Sequence, residues 1–196
     1  MRNTPRYMIA SDIHGSALYT AKLLEAYHRE KPDQLILLGD ILYHGPRNDL
    51  PAGYAPKEVI AMLNPLASRI LCVRGNCDAE VDQMVLDFPL MAEYTWLPVK
   101  GHRLFITHGH IYNAQTPPPM EKGDILLHGH THVPVCEHQP GGWWLLNPGS
   151  VSIPKEGSAH SYLLLEDGTF FWKTLSGEVW QTAPLYEETG SGRSLF

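Results

Sequence analysis

The most constraining feature of this sequence is an uninterrupted apolar run, Leu35 to Leu38, that ends in Gly39 and Asp40. Four apolar residues in succession are typical of a strand that is buried on both faces inside a layered α/β fold. Gly39 lets the chain turn as it leaves the sheet, so Asp40 lies just beyond the strand's carboxyl end, where open α/β sheets bind ligands. Taken by itself, Asp40 could equally cap a following helix.

Four further apolar runs end in the same way, in Asp, His or Asn. The predicted strand at 7–10 is followed by Asp12 and His14, and the one at 69–73 is followed by Asn76. The predicted strand at 102–107 is followed by His108, and the one at 124–127 is followed by His130 and His132. Within each of the two pairs the residues are two apart, so an extended backbone would point both side chains the same way. A helix-capping Asp12 beside a merely polar His14, and a structural histidine cluster at 128–132, are the competing interpretations.

All the side chains at these strand ends are nitrogen or oxygen donors. The candidate metal ligands are Asp12, His14, Asp40, Asn76, His108, His130 and His132. A mixed imidazole, carboxylate and amide set suits manganese, iron, zinc or magnesium. Seven ligands exceed what one ion with an open position needs, so we expect two ions that share a carboxylate, with the central Asp40 as the bridge. Two ions about 3.5–4 Å apart clamp an in-line displacement at phosphorus and make hydroxide available near neutral pH.

The segments between the strands carry helix and loop signals. Ser16 is predicted to cap a helix over 17–30, Pro56 to begin a second helix, and Asp78 to cap a third helix that runs to about Leu86. The buried stripe of the first helix is predicted to contain Leu18, Ala21, Leu24 and either Tyr27 or His28. The region 88–98 is a candidate edge strand, and 161–175 is predicted as a hairpin that turns at Asp-Gly.

Two loops could contact a substrate. The loop 41–56 contains His44, Arg47 and Asn48, which could face a bound phosphate because the guanidinium fork matches phosphate oxygens. Arg47 could equally be an exposed residue of a solvated loop. The proline-containing loop 111–122 is a candidate substrate wall or a plain surface connection.

Composition excludes several classes of protein. The net charge of −6 provides no basic footprint, so we expect no bulk nucleic-acid partner. No apolar run approaches the roughly 20 residues of a membrane span, and no signal-peptide core is present. Cys72, Cys77 and Cys136 are odd in number and lack Cys-x-x-Cys spacing, which speaks against disulfides or a thiolate zinc site and favours the cytoplasm.

The chain shows no internal repeat and no linker. We therefore expect one domain over 1–196, with its core at about 7–175 and a loosely ordered tail from about 182. Tyr94, Trp96, Trp143 and Trp144 could belong either to the core or to the face of a homodimer or homotetramer.

The ordered motifs resemble those of the calcineurin-like metallophosphoesterases. They are Asp12-x-His14, Gly39-Asp40, Gly75-Asn76-x-Asp78, His108-Gly109-His110 and Gly129-His130-x-His132. The blocks 11–15, 44–48, 74–78 and 147–155 resemble the small YfcE-type phosphodiesterases more closely, and the resemblance spans about 7–175. It implies an α/β fold, a four-layer αββα sandwich of two mixed sheets flanked by helices, and hydrolysis of phosphodiesters by a metal-bridging hydroxide at a dinuclear site.

The resemblance also implies residue roles. One ion would bind Asp12, His14, Asp40 and His132, and the other Asp40, Asn76, His108 and His130. Manganese is the ion that the resemblance favours, with zinc, iron, nickel or magnesium as alternatives. Asp40, Asn76 and His108 would take part in catalysis together with Cys77.

Cys77 departs from the family pattern, because many relatives have His at this position, where it is thought to assist the leaving group. A thiol with a reference pKa of about 8.5 is a poor substitute for an imidazolium. We therefore expect a preference for diesters with good leaving groups. Cys77 could also be an inert small filler. The alternative functions are a phosphomonoesterase, a non-catalytic interaction scaffold like the retromer subunit of this fold, and a metal-storage protein.

Overall fold

The structure, a computed structural model, describes residues 4–185 of the chain. Two mixed β-sheets face each other. The strands are β1 Tyr7–Ala10, β2 Gln34–Leu37, β3 Ile70–Cys72, β4 Tyr94–Val99, β5 His102–Thr107, β6 Ile125–Leu127, β7 Val135–His138, β8 Trp144–Asn147, β9 Ser161–Glu166, β10 Thr169–Thr174 and β11 Val179–Pro184. The helices are α1 Ala17–Glu30, α2 Pro56–Leu63 and α3 Glu80–Gln83, and a 3-10 helix covers Asn64–Arg69.

The strand order brings two sets of parallel strands together. The first sheet has the order β11-β10-β9-β1-β2-β3, and the second has β4-β5-β6-β8-β7. Strands β1, β2 and β3 are parallel, and so are β5, β6 and β8. Because parallel strands share the direction of their carboxyl ends, each sheet collects its polar strand exits along one edge.

Three apolar layers hold the sandwich together. Between the sheets, Ile36 and Leu38 pack in one cluster with Leu104 and Ile106. On the outer face of the first sheet, Leu23 of α1 and Val59 and Leu63 of α2 pack with Leu35 and Leu37. On the outer face of the second sheet, Tyr112, Ala114 and Met120 pack against Phe105, Leu126 and Leu145. The expected fold of two mixed sheets is confirmed, and within residues 4–185 this last face is covered by the loop 108–124 and not by a helix.

Most local predictions are confirmed. Helix α1 has the predicted bounds and is capped by Ser16, whose side chain accepts a hydrogen bond from the Tyr19 N–H, and α2 begins at Pro56. The predicted buried stripe of α1 is one residue out of phase. Leu18 is 43% exposed and Leu24 and Tyr27 are only partly buried against the core, whereas Leu23 and Ala26 are fully buried. The hairpin of β9 and β10 is confirmed, as is the edge position of β4.

Other local predictions are wrong. Helix α3 ends at Gln83, well before Leu86, and its N-cap is Ala79, not Asp78. Strand β7 was not predicted, and β11 runs to Pro184, so residues 182–184 belong to the sheet and not to a loose tail. The remainder of that expected tail lies outside the described residues. In the described part of the chain, no helix has the length and apolarity to cross a membrane.

The four aromatic residues considered for a core or a dimer face differ in their burial. Trp143 is buried, whereas Tyr94 and Trp96 on edge strand β4 are 45% and 39% exposed. The loop 111–122 contributes to the outer apolar layer through Tyr112, Ala114 and Met120, which favours a surface connection over a substrate wall.

Candidate metal centre

The strand exits of the two sheets meet through long-range hydrogen bonds. The His130 N–H donates to Oδ2 of Asp12 at 3.0 Å, which joins the exit of β6 to that of β1. The ring of His108 donates from Nδ1 to the Leu38 carbonyl at 2.6 Å, which joins the exit of β5 to that of β2. The two sheet edges therefore form one polar centre.

The backbone at this centre is left-handed, not extended. Five candidate ligands have positive φ angles: Asp12 (58°), His14 (49°), Asp40 (56°), His130 (66°) and His132 (63°). Residues other than glycine rarely adopt this conformation, which costs of order 1–3 kcal/mol each and concentrates at functional sites. The expectation that extended alternation aims the pairs Asp12/His14 and His130/His132 is therefore wrong, because left-handed turns at the strand exits aim them instead.

Three imidazole rings are oriented by backbone carbonyls. The acceptors are Tyr43 O for His14 (2.8 Å), Leu38 O for His108 (2.6 Å) and Ile153 O for His132 (2.7 Å). Because a carbonyl can only accept, Nδ1 carries the proton in each ring, and Nε2 of the neutral ring points a lone pair at the centre. This arrangement is the one that metal-binding histidines adopt.

The first group of ligands has lone pairs that face one another. Nε2 of His14 and Nε2 of His132 are 3.2 Å apart, and Oδ1 of Asp12 lies 3.6 Å and 3.3 Å from them. Oδ1 of Asp12 is buried and has no hydrogen-bond partner within the described part of the chain. Neutral imidazoles and a carboxylate at such distances repel each other unless a cation lies between them. These residues therefore fit a divalent ion.

The second group lies next to the first and shares Asp40 with it. Nε2 of His108 is 3.1 Å from Oδ1 of Asn76 and 3.2 Å from Nδ1 of His130. Oδ2 of Asp40 lies 3.4 Å from Nε2 of His108 and 3.6 Å from Nε2 of His14. One carboxylate oxygen thus lies between the two groups of donors, and all seven predicted ligands come together.

The electrostatics of the centre favour bound positive charge. Burial opposes ionisation of Asp12, but the neighbouring imidazoles of His132 and His14 hold its pKa well below the usual value. Burial also disfavours a charged His108, yet without a cation the hydrogen bond with Asp40 and the charges of Asp12 and Asp40 raise its pKa to about 9. Nε2 of His108 then takes up a proton, which a bound cation would replace. Burial and the neighbouring His108 lower the pKa of His130 to about 4. The two carboxylates therefore remain ionised and attract a cation.

Asp78 positions the bridge, and sequence reasoning missed this role. Its buried carboxylate accepts hydrogen bonds from the N–H groups of Asp40 (2.8 Å), Ile41 (2.9 Å) and Gly75 (2.7 Å). These bonds tie the exit of β2 to the exit of β3. The position of Asp78 next to the Gly75-Asn76 motif is the sequence signal for this role, although an aspartate there is equally typical of a helix cap.

Gly75 provides space for Asp40. A Cβ added at Gly75 would lie 2.0 Å from Oδ1 of Asp40, so any larger residue must displace that carboxylate.

Gly75→Ala is expected to weaken binding of the divalent ion by about 10- to 100-fold, as loss of a positioning group does in metal sites. Metal titration followed by calorimetry measures this. Gly101→Ala is the control for inserting a methyl group, because nothing lies within 4 Å of a Cβ there. Its φ of +86° adds a backbone strain that Gly75→Ala does not have, so any loss of affinity specific to Gly75→Ala comes from the contact with Asp40. Wild-type affinity in Gly75→Ala would contradict the role.

A cavity of about 340 Å³ opens over the centre. Arg47 and Asn48 line it, as predicted for substrate-binding residues, together with Thr131 and Lys155, which were not predicted. His44 lies elsewhere: its ring packs edge-on against the rings of Tyr43 and Tyr54, with centroids 4.7 Å and 5.4 Å apart.

Cys77 also lines this cavity, beside the ligands. Its sulfur lies within 4.8 Å of ligand atoms of His14 and Asp40. Burial, followed by the charge of Asp40, raises the pKa of its thiol to about 12. Cys77 is therefore a protonated thiol that releases its proton too reluctantly to act as an efficient acid near pH 7.

Comparison with known proteins agrees with this geometry. The calcineurin-like phosphoesterase superfamily domain matches residues 6–168. Phosphodiesterase YfcE of Escherichia coli K12 is 48% identical over 162 residues, which cover 83% of this chain and 88% of the relative. The solved structure of the E. coli YfcE phosphoesterase superposes with a TM-score of 0.89 at 42% identity, over 92% of this chain and all of that one. Vps29 of Entamoeba histolytica, solved in complex with zinc, has a TM-score of 0.60 at 21% identity over 92% of this chain and 99% of that one, so it shares the fold.

Proposed function

The chain belongs to the calcineurin-like phosphoesterase superfamily and is a metal-dependent phosphoric diester hydrolase, and we propose that its seven clustered side chains bind two divalent ions. One ion would bind to Asp12, His14, Asp40 and His132, and the other to Asp40, Asn76, His108 and His130. The observation that carries this proposal is the position of Asp40 Oδ2, within 3.6 Å of His14 Nε2 and 3.4 Å of His108 Nε2. Two single sites would not need one oxygen between two groups of donors.

The side chains act by holding fixed positions. The carbonyl contacts of His14, His108 and His132 keep their Nε2 atoms directed at the centre, so these donors are in position before substrate binds. Bound divalent ions would supply charge that stabilises in-line displacement at phosphorus and would acidify a water molecule. Asn48, which lines the cavity above, would orient the scissile phosphate through its non-bridging oxygens, and Arg47 beside it would bind a phosphate group of the substrate.

The donor set suggests the metal without defining it. Imidazole, carboxylate and amide donors suit manganese, zinc, iron, nickel or magnesium, and we propose manganese on the family resemblance. The family and the chemistry of the site favour an enzyme over the alternative of a non-catalytic scaffold, because every candidate ligand is present. A homo-oligomeric state and a cytoplasmic location stay predictions.

Metal reconstitution tests the two-ion proposal. Metal-stripped protein is titrated with each divalent ion in turn, and hydrolysis of bis(4-nitrophenyl) phosphate is followed at each step. We expect most of the activity to appear with the second equivalent, since both ligand groups must be filled. Full activity at one equivalent, with one ion measured per chain, would refute the dinuclear centre while leaving the phosphodiesterase assignment intact.

Cys77 is expected to limit the range of leaving groups. Without a positioned acid, which commonly supplies roughly 10²–10⁴ in rate, aryl diesters should be cleaved well and alkyl monoesters poorly. Cys77→His is expected to raise kcat for an alkyl leaving group by at least about ten-fold and to change the 4-nitrophenyl rate far less.

A series of diesters with leaving groups of graded pKa measures this effect. The control is Cys77→Ser, which removes the thiol without adding an imidazole and should leave the slope of log kcat against leaving-group pKa as in wild type. If Cys77→His changed kcat equally for all leaving groups, residue 77 would not act on the leaving group, and the proposed limit on leaving groups would be wrong.

A further inference from the structure

Two unpaired cationic side chains line the cavity above the metal centre. Arg47 comes from the connection after β2, and Lys155 from the connection after β8. Both residues are exposed, and within residues 4–185 neither side chain has a hydrogen bond or an ion pair. Most other arginines of the described chain are paired, as Arg6 is with Glu30 and Arg103 with Asp124. In a chain of net charge −6, these two cations give the rim of this cavity a local positive charge.

Lys155 is positioned by a metal-ligand candidate. Its N–H donates to the carbonyl of His132 at 3.2 Å, and the hydroxyl of Ser158 donates to the Lys155 carbonyl at 2.7 Å. The backbone of Lys155 is therefore held relative to the reaction centre, even though its side chain is exposed.

The loop that carries Arg47 is held in a similar way. The Asn48 side chain donates to the His44 carbonyl at 2.9 Å, and Gly45 turns with φ +80°. A Cβ at Gly45 would lie 2.9 Å from the sulfur of Cys77, so this turn lies directly against the centre. Arg47 therefore extends from a structured turn at the cavity.

The lining of the cavity favours an ionic mode of recognition. It contains no phenylalanine, tyrosine or tryptophan and no leucine, isoleucine, valine or methionine, and its two imidazole rings, His130 and His132, are candidate metal ligands, so it offers little apolar surface to a base. The reacting phosphate of a diester carries one negative charge, and divalent ions bound at the centre would already neutralise that charge. Two further cations at the rim match a second anionic group with about two charges. A terminal phosphate carries about −1.5 to −2 at pH 7.

We propose that Arg47 and Lys155 together bind a terminal phosphate on one arm of the substrate. The substrate class is then a phosphodiester in which one of the two esterified alcohols also carries a phosphomonoester. This inference rests on the proposed function, because it places the scissile phosphate at the metal centre. The guanidinium fork would contact two phosphate oxygens, and the ammonium would add a point charge.

Two matched substrates test the inference. The 4-nitrophenyl ester of thymidine 5′-phosphate and its 3′-phosphorylated counterpart differ only by a terminal phosphate. We expect kcat/KM to be at least about ten-fold higher for the phosphorylated compound, mainly through KM. Lys155→Gln and Arg47→Gln should each reduce this ratio by about ten-fold or more, towards equal kcat/KM values for the two substrates, since each removes a charge-assisted contact. Lys155→Arg should retain most of the ratio. Lys57→Gln, on the exposed face of α2, is the control and should keep both rates.

A binding measurement separates this inference from catalysis. Calorimetry on the metal-loaded protein compares the affinities for thymidine 3′,5′-bisphosphate and thymidine 5′-monophosphate. We expect wild type to bind the bisphosphate at least about ten-fold more tightly, and we expect Lys155→Gln and Arg47→Gln to lose this preference. Equal affinities and equal kcat/KM values for the matched substrates would overturn the inference and leave the phosphodiesterase standing. Hydrolysis of neither substrate by the metal-loaded protein would count against the proposed function, while calorimetry would still decide the role of the two cations.

Discussion

Asp40→Asn is expected to lower kcat for bis(4-nitrophenyl) phosphate by at least about 10³-fold, the upper range for loss of one preorganised electrostatic group. Asn keeps the size of the side chain and an oxygen that can accept the Cys77 N–H at 2.8 Å. It removes the negative charge from the one oxygen that lies between His14 and His108. The loss should therefore arise from weakened metal binding and not from unfolding.

Three measurements check this explanation of Asp40. Metal content should fall below two ions per chain, thermal stability measured without metal should stay near that of the wild-type protein without metal, and steady-state kinetics should show the loss in kcat. Asp87→Asn is the matched control, because Asp87 is exposed and its N–H, not its carboxylate, bonds to Asn64. A variant of Asp40 with two tightly bound ions and activity within ten-fold of wild type would rule out the bridging role.

Removal of metal is expected to lower the melting temperature by about 8–16 °C. A ligand present at 1,000 times its Kd stabilises the folded state by about 4 kcal/mol, and each kcal/mol corresponds to about 2–4 °C in a chain of this size. The physical reason is the 3.2 Å approach of His14 Nε2 to His132 Nε2 beside the unpartnered Oδ1 of Asp12. Without a cation these lone pairs repel each other or must take up protons.

Differential scanning calorimetry before and after chelation measures the shift, and return of manganese should restore both the melting temperature and the diesterase activity. Asp40→Asn should show a smaller shift, because one shared ligand is already weakened. A melting temperature that does not change when the ions are verifiably lost would mean that the centre contributes nothing to folding, and would contradict the proposed ligand geometry.

Predictions that depend on neighbours in sequence agree with the structure. The apolar run at 35–38, the cap at Ser16 and the start of α2 at Pro56 each depend on contacts within a few residues, so they can be read from the chain alone. The family resemblance likewise rests on short motifs at strand exits, and the domain match over 6–168 confirms it.

Predictions that depend on the third dimension were less complete. The buried face of α1 is set by the sheet on which the helix packs, and the helix pattern alone left it one residue out of phase. The role of Asp78 depends on N–H groups 37 and 38 residues away. Edge strands β7 and β11 are largely exposed, so their sequences lack the apolar runs that identify buried strands.

The sequence by itself determined which donors stand at the strand ends and in which order, because chain order and apolar runs are local properties. Only the tertiary structure decided how those donors are aimed. Left-handed turns at Asp12, Asp40 and His132 and three carbonyl contacts to imidazole Nδ1 atoms orient the lone pairs. The same packing places Lys155 beside the centre, through a bond to the carbonyl of His132. Those contacts join residues that are far apart in the chain, and their energies do not exist until both sheets have formed.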